Sequence, residues 1–279
     1  MSSTATYRTF VNPFASSISL EERLFFLLRF AILGCFIGHG IWGLLGKTAW
    51  LSFFEVFFFP APISQSLMPL VGVMDIFVGV SIFFFPTRAI LVWAAFWTVF
   101  TALLRPSAGM GMSEFFERAG NYGPPIAFLF MIGWSQFRVK AFQRIQLNDL
   151  NWKDGFSILE KILRWSLVAL LIGHGGLSFF NENALIAKHL QFLGFAVDST
   201  TLKVFGAFEM LLGVVVFFVP RLPGLMIFIL SYKFFTEMLH PIVGQHRDIL
   251  ETIERMGDYI IPIMLLVMYS TSRKSSFAL

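Results

Sequence analysis

The sequence predicts an all-α integral membrane protein with about eight transmembrane helices, arranged as two parallel-repeat four-helix bundles. Three observations support this prediction: 56% of the 279 residues are hydrophobic, only 14% are charged, and one order of motifs occurs twice. Soluble domains carry about 25% charged residues, and 36 Phe and 7 Trp exceed what one soluble core can bury. The composition therefore excludes a disordered protein, a coiled coil and most soluble enzymes.

The net charge of +4 points to a lipid bilayer and not to nucleic acid as the partner. Excess Lys and Arg are typical of the cytoplasmic flanks of membrane helices. The single cysteine, Cys35, excludes an internal disulfide and a thiolate metal cage, and no metal site is expected. The polar first twenty residues lack the apolar core of a signal peptide, so we expect the first span to be retained.

An internal repeat divides the chain into halves at 21–137 and 157–271. LRFAILGCFIGHG, ending at Gly40, aligns with LRWSLVALLIGHG, ending at Gly175. At nearly the same offset, VMDIFVGVSIFFFP aligns with AFEMLLGVVVFFVP, TALLRP with TEMLHP, and FERAGNYGPP with IERMGDYIIP. Four blocks in one order indicate a tandem duplication.

Each half is expected to hold four spans, with an interfacial or re-entrant segment after the first. The predicted spans lie near 24–46, 66–86, 88–105 and 120–137, and near 158–180, 200–220, 222–240 and 257–271. The interfacial segments are 48–63 and 181–198, the tails are 1–20 and 272–279, and the linker is 138–156. Because most of the 21 basic residues then share one side with both termini, we expect an inner-membrane protein with cytoplasmic termini. An even number of spans per half makes the repeats parallel.

Ionisable residues at mid-membrane depth are the candidate ligand-binding or proton-relay groups. His39 and His174 each follow an arginine at the start of a first span, about 15 Å deeper along the helix. Asp75 and Glu209 lie at a similar distance before the proline that ends each second span. The spacing predicts one His39–Asp75 pair and one His174–Glu209 pair.

Two interpretations of these pairs stay open. Each histidine either ties two helices together through a buried hydrogen bond, or accepts protons beside a cavity. A haem held by both histidines is disfavoured, since nothing else in the chain shapes a haem pocket. Lys233 and Glu237, one turn apart, predict an ion pair found only in the second half, which makes that half the better candidate for a working site.

A second polar group precedes each fourth span and is expected at the outer mouth of each half. It comprises Arg105, Glu114, Glu117, Arg118, Asn121 and Tyr122 in the first half, and His240, Glu251, Glu254, Arg255, Asp258 and Tyr259 in the second. One interpretation is a polar path leading into each half. The other is a helix N-terminus capped by acidic residues, with a tyrosine at the membrane interface.

These motifs together resemble the DoxX/DoxD-like superfamily of small four-span membrane proteins. The resemblance rests on the first span that runs from Arg29 or Arg164 to an HG pair, on the acidic, glycine-containing second span, and on the ER-x-G-N/D-Y segment. It covers nearly the whole chain as two family units. Members with assigned roles are membrane subunits of redox systems that pass electrons to quinone, which implies such a role here.

Three functions follow as hypotheses, and no reaction is assigned. The first is a redox-associated membrane subunit that binds a quinone or similar amphiphile and receives electrons from a partner protein, because no residue here holds a flavin or an iron–sulfur cluster. The second is a carrier or channel for a small solute or lipid. The third is a structural or assembly subunit of a membrane complex.

Overall fold

The computed structural model describes residues 18–133, 137–219 and 221–276, which form helices and turns without a β-strand. Most of the predicted N-terminal tail and the last three residues of the C-terminal tail lie outside the described residues. The helices are α1 (Leu20–Leu44), α2 (Leu51–Glu55), α3 (Ala61–Phe84), α4 (Arg88–Ser107), α5 (Met112–Glu117), α6 (Ala119–Ile132), α7 (Phe137–Lys140), α8 (Trp152–Phe179), α9 (Ala184–Phe192), α10 (Ser199–Phe218), α11 (Pro223–Val243), α12 (Ile249–Glu254) and α13 (Met256–Ser276). Short 3₁₀ turns occur at Thr48–Trp50, Leu147–Asp149 and His246–Asp248.

Five of these helices, α1, α3, α4, α10 and α11, are long and apolar enough to cross a bilayer. The chain is therefore a multi-pass membrane protein. Large apolar side chains on these helices point outward, as at Leu70, Phe77 and Leu211, each more than half exposed. Lipid covers such faces in a membrane. α8 has 28 residues, and α13 contains a shorter apolar stretch, Met256–Thr271.

The boundaries near the first interfacial segment follow from its prolines. Pro60 is the N-cap of α3, and Pro62 lies in the first turn of that helix. Backbone N–H groups in the first turn have no acceptor within the helix, so a proline there removes no helical hydrogen bond. α3 therefore begins inside the predicted segment 48–63, whose earlier part contains the 3₁₀ turn Thr48–Trp50 and the short helix α2.

The linker between the halves is ordered against the turn between α3 and α4. The backbone of Ala89 donates to Ala141, and that of Ile145 donates to Pro86. α8 then begins at Trp152, capped by Asn151, so the end of the predicted linker 138–156 is helical.

The two halves pack against each other and are not separate bundles. Within each half the first long helix packs along the second, α1 on α3 and α8 on α10. Between the halves, α12 and α13 pack on α1, while α5 and α6 pack on α8. The central core accordingly mixes both halves, with Leu28, Phe128, Leu163 and Met264 buried together.

Glycines allow this close packing beside each histidine. A Cβ at Gly38 would lie 2.5 Å from the backbone nitrogen of Glu254, and a Cβ at Gly173 would lie closer still to that of Glu117. Small residues let helix backbones approach in this way. α1 thus packs closely against α12 of the second half, and α8 packs closely against α5 of the first half.

Candidate functional site

The structure brings together both histidine–carboxylate pairs. His39 Nδ1 lies 2.8 Å from Asp75 Oδ2, between α1 and α3. His174 Nδ1 lies 2.6 Å from Glu209 Oε2, between α8 and α10. Both carboxylates are buried, while both histidines keep a small exposed fraction. Each histidine therefore has one ring nitrogen on a carboxylate and a ring edge open to a cavity.

The first cavity lies beside the His39–Asp75 pair and has a volume of about 220 Å³. Its wall is mainly aromatic, and includes Phe36, Trp50, Phe53, Phe57, Trp97 and Phe100. The His39 ring stacks on Trp50 with centroids 4.3 Å apart, and Phe57 stacks on Phe100. Such a wall suits an apolar ring or tail, with a few polar groups to fix its orientation.

Four polar atoms of residues that line the first cavity have no hydrogen-bond partner among the described residues, and two of them, Arg118 Nε and Glu254 Oε2, belong to side chains that form ion pairs. The other two are Asp75 Oδ1, a buried acceptor, and Trp97 Nε1, a buried donor. Buried polar groups in native structures are nearly always paired. A ligand bound in the cavity would supply the hydrogen-bond partners that these atoms lack.

The second cavity lies beside the His174–Glu209 pair and is larger, with a volume of about 580 Å³. Charged and polar side chains line much of it, among them Lys47, Glu117, His189, His240 and Arg255. The Tyr232 hydroxyl lies beside Glu209. This cavity therefore has more charged side chains in its wall than the first, which is richer in aromatic rings.

Glu237 connects the charges around the second cavity. Its Oε1 lies 2.8 Å from Lys233 Nζ and 3.8 Å from His174 Nε2. Its Oε2 lies 3.2 Å from His240 Nε2 and 3.3 Å from Arg255 Nε. The predicted Lys233–Glu237 contact is thus present, as part of a cluster to which Asp258 adds a carboxylate 3.6 Å from Lys233. A buried lysine is tolerated only with such compensation.

The glutamates and arginines that precede the fourth spans form an inter-half ion-pair cluster, made of Glu117, Arg118, Glu254 and Arg255. Arg118 donates to Glu254 at 2.6 Å, and Arg255 donates to Glu117 at 3.1 Å. Each pair crosses from one half to the other. All four side chains are buried, at less than a tenth exposed.

These four residues lie where the two halves meet. Glu117 and Glu254 end the short helices α5 and α12, so neither caps a fourth span. The cluster also lies between the halves and not at a separate mouth of each one. Because the aligned segments carry the same charges, sequence spacing could not show that they pair across the repeat.

Further ion pairs surround this cluster. Arg105 donates to Glu114 at 3.0 Å, and Glu251 binds both Lys47 and Arg255. Burial alone would raise the pKa of Glu251, but these two cations outweigh burial and hold that pKa well below its usual value. Arg105 and Arg118 lie in the walls of both cavities, so the ion pairs separate the two spaces.

The remaining residues of the predicted polar group have mixed positions. Asn121 lines the first cavity, and Tyr122 stacks on Phe115 with centroids 5.3 Å apart. Tyr259 is buried against Phe234, away from both cavities.

Sequence reasoning missed several residues of these sites: Lys47, Trp50, Trp97, His189 and Tyr232. Trp97 and Tyr232 occupy equivalent positions just before the TALLRP and TEMLHP blocks, which was a usable signal. No such signal exists in the sequence for His189, because this residue lies on α9, outside the repeat motifs. Burial, with the neighbouring His240, lowers the pKa of His189 to about 4, so its imidazole is neutral at physiological pH.

No family profile, curated protein or solved structure matches the chain. The resemblance to DoxX-like proteins therefore stays a prediction from motifs. Among the described residues no group of His, Cys, Asp and Glu has the arrangement of a metal site. His39 and His174 line different cavities, which makes a haem shared between them a poor fit.

Proposed function

We propose that the protein binds the head group of a membrane-soluble quinone or similar amphiphile in the first cavity. The observation that carries this proposal is an aromatic cavity next to a buried His39–Asp75 pair, with polar atoms left unpaired in its wall. The sequence favoured the second half. The first half, however, combines apolar walls with few polar groups, which is the usual character of a small-molecule site.

The His39–Asp75 pair gives this site polar groups that can hydrogen-bond a ligand's head group. The carboxylate holds the imidazole ring in one orientation through the 2.8 Å contact of His39 Nδ1 with Asp75 Oδ2. In this role electrons would come from a partner protein. The proposed role is thus a membrane subunit that binds the amphiphile for such a partner, in agreement with the DoxX-like resemblance.

Filling each cavity separately tests the proposal. Thr101 lines the first cavity and Thr236, its counterpart in the repeat, lines the second. We expect Thr101→Phe to remove bound quinone, because the ring occupies the cavity while the His39–Asp75 pair remains. Thr236→Phe is the matched control and should retain it.

The measurement is mass spectrometry of small molecules extracted from the full-length protein after purification in mild detergent. Stoichiometric quinone in the wild type and in Thr236→Phe, with loss in Thr101→Phe, is the expected result. Only bulk phospholipid in the wild type, or equal quinone in both variants, would overturn the proposal.

A carrier is the second candidate function, and the shared walls of the two cavities favour it. Arg105 and Arg118 face both spaces, so an exchange of ion-pair partners would open one cavity towards the other. Uptake of a solute or lipid by proteoliposomes, lost in Arg118→Gln, would support this candidate. Retained uptake in that variant would contradict it.

We also propose that the chain is a tandem duplication with eight spans and both termini in the cytoplasm. The helices follow the same order in both halves: a long helix, a short helix, two long helices, a short helix and a final helix. This order runs through α1–α6 and through α8–α13. Reporter fusions after Ser276 and within the turn between α4 and α5 test the sidedness. Cytoplasmic and external signals, respectively, are expected.

A further inference from the structure

We propose that the first cavity selects the hydroxyl-bearing, reduced form of its ligand, a phenol or quinol, over the corresponding quinone or ether. This inference rests on the proposed function, since it names the form of the amphiphile bound at the same site. It concerns binding only and requires no electron transfer.

The argument begins with Asp75. A distance of 2.8 Å between His39 Nδ1 and Asp75 Oδ2 requires one proton between these two atoms. Whichever of the two atoms holds that proton, Oδ1 keeps its lone pairs and remains an acceptor. Oδ1 is buried, has no donor among the described residues and belongs to a side chain that lines the cavity. A ligand that satisfies it must donate an O–H or N–H.

Trp97 requires a ligand that accepts a hydrogen bond. Its indole Nε1 is a donor only, it has no acceptor among the described residues, and it lines the same cavity. A hydroxyl group donates one hydrogen bond and accepts others, so hydroxyls serve both atoms. A quinone carbonyl serves Trp97 alone and leaves Asp75 Oδ1 unpaired, and an ether has the same deficiency.

The second half contains an internal example of this arrangement. Tyr232, at the position equivalent to Trp97, carries a phenol hydroxyl beside the carboxylate of Glu209. The protein itself therefore places a phenol next to the second carboxylate. In the first half the equivalent side chain is an indole without a hydroxyl, and the cavity beside Asp75 is empty of protein atoms. Glu209 Oε1, the counterpart of Asp75 Oδ1, still has no hydrogen-bond partner among the described residues, so Tyr232 shows that a phenol fits beside such a carboxylate and not that it satisfies the equivalent oxygen.

The experiment compares nonylphenol with its methyl ether, which share a shape apart from one methyl group and differ in the donated hydrogen. Binding to the full-length protein in lipid nanodiscs is measured by equilibrium retention and by the fluorescence of Trp50 and Trp97. We expect the phenol to bind about 10- to 100-fold more tightly, which corresponds to the cost of leaving a buried acceptor without a hydrogen bond. Decylhydroquinone and decylbenzoquinone form a second pair with the same expected order.

Asp75→Asn separates hydrogen bonding from steric exclusion of the methyl group. Asparagine can present an N–H to the cavity, so the preference for the phenol should disappear or reverse. A purely steric preference would persist in this variant and would overturn the inference. Glu209→Gln, which changes the second carboxylate only, should keep the wild-type preference.

The outcomes also distinguish this inference from the proposed function. If both probes bind equally to the wild type and both are lost in Thr101→Phe, the cavity binds an amphiphile and only the selectivity is wrong. If neither probe nor any quinone binds to the wild type, both proposals fail.

Discussion

The two cavities occupy equivalent places in the two halves but have opposite linings. Beside His39–Asp75 the wall is mostly aromatic rings, and the repeat positions of Lys233 and Glu237 hold Thr98 and Ala102. Beside His174–Glu209 the wall carries ion pairs centred on Glu237. One helical framework thus supports two cavities of different character, a smaller one of about 220 Å³ with an aromatic wall and a larger one of about 580 Å³ beside a compensated charge cluster. Both walls contain residues with buried polar atoms that lack a hydrogen-bond partner among the described residues, and the aromatic lining of the first cavity is what favours an amphiphile there.

The largest expected effect comes from removing Glu237. Glu237→Ala leaves Lys233 buried with only Asp258 for compensation and also takes a partner from Arg255. We expect a loss of about 3–5 kcal/mol in the free energy of unfolding, as for other broken buried ion pairs. Thermal unfolding of the purified protein measures it.

A double variant sharpens the same comparison. Lys233→Thr combined with Glu237→Ala gives the second half the residues of the first, Thr98 and Ala102. Because the uncompensated lysine is gone, this variant should be more stable than Glu237→Ala alone. A double variant that is as unstable as the sum of the single changes would contradict the account of the charge cluster.

The two glycine contacts between the halves, at Gly38 and at Gly173, should by contrast be equally sensitive to substitution. Gly38→Ala and Gly173→Ala each force a Cβ into the backbone of the other half's short helix. We expect each to destabilise the protein by about 1–3 kcal/mol, the usual cost of overpacking. Gly224→Ala, where a Cβ meets open space, is the control and should leave the melting temperature unchanged or raised. A marked difference between Gly38→Ala and Gly173→Ala would show that the two contacts are not equivalent.

The smallest expected effect is a pH-dependent one at Glu251. Its pKa is lowered in the folded state, so its contribution to stability is complete above the unfolded pKa of about 4.3 and is lost as the pH falls further. Glu251→Gln should therefore lower the free energy of unfolding by about 1 kcal/mol at neutral pH. The difference from the wild type should shrink below about pH 4.3, as melting temperatures across a pH series would show. A constant difference at all pH values would mean that packing, and not charge, is responsible.

The class of the protein and the histidine–carboxylate pairs could be predicted from the amino-acid sequence. Composition alone gives a helical membrane protein, because a chain with this apolar content must be covered by lipid. The His39–Asp75 and His174–Glu209 contacts also follow from spacing, since rise per residue fixes depth within a helix. The Lys233–Glu237 contact is local to one helix and is equally readable.

The contacts between the halves and the positions of the cavities could not be predicted, because they depend on packing between helices that are distant in sequence. Arg118 pairs with Glu254 and Arg255 with Glu117 because α5 and α12 pack against the first helix of the opposite half. A repeated sequence specifies the same charges twice and cannot say which copy each one faces. Cavities are likewise set by side chains from helices distant in sequence, as His39, Trp50 and Trp97 show around the first one. Spacing along one helix determines depth, whereas neighbours across the bundle are determined by packing.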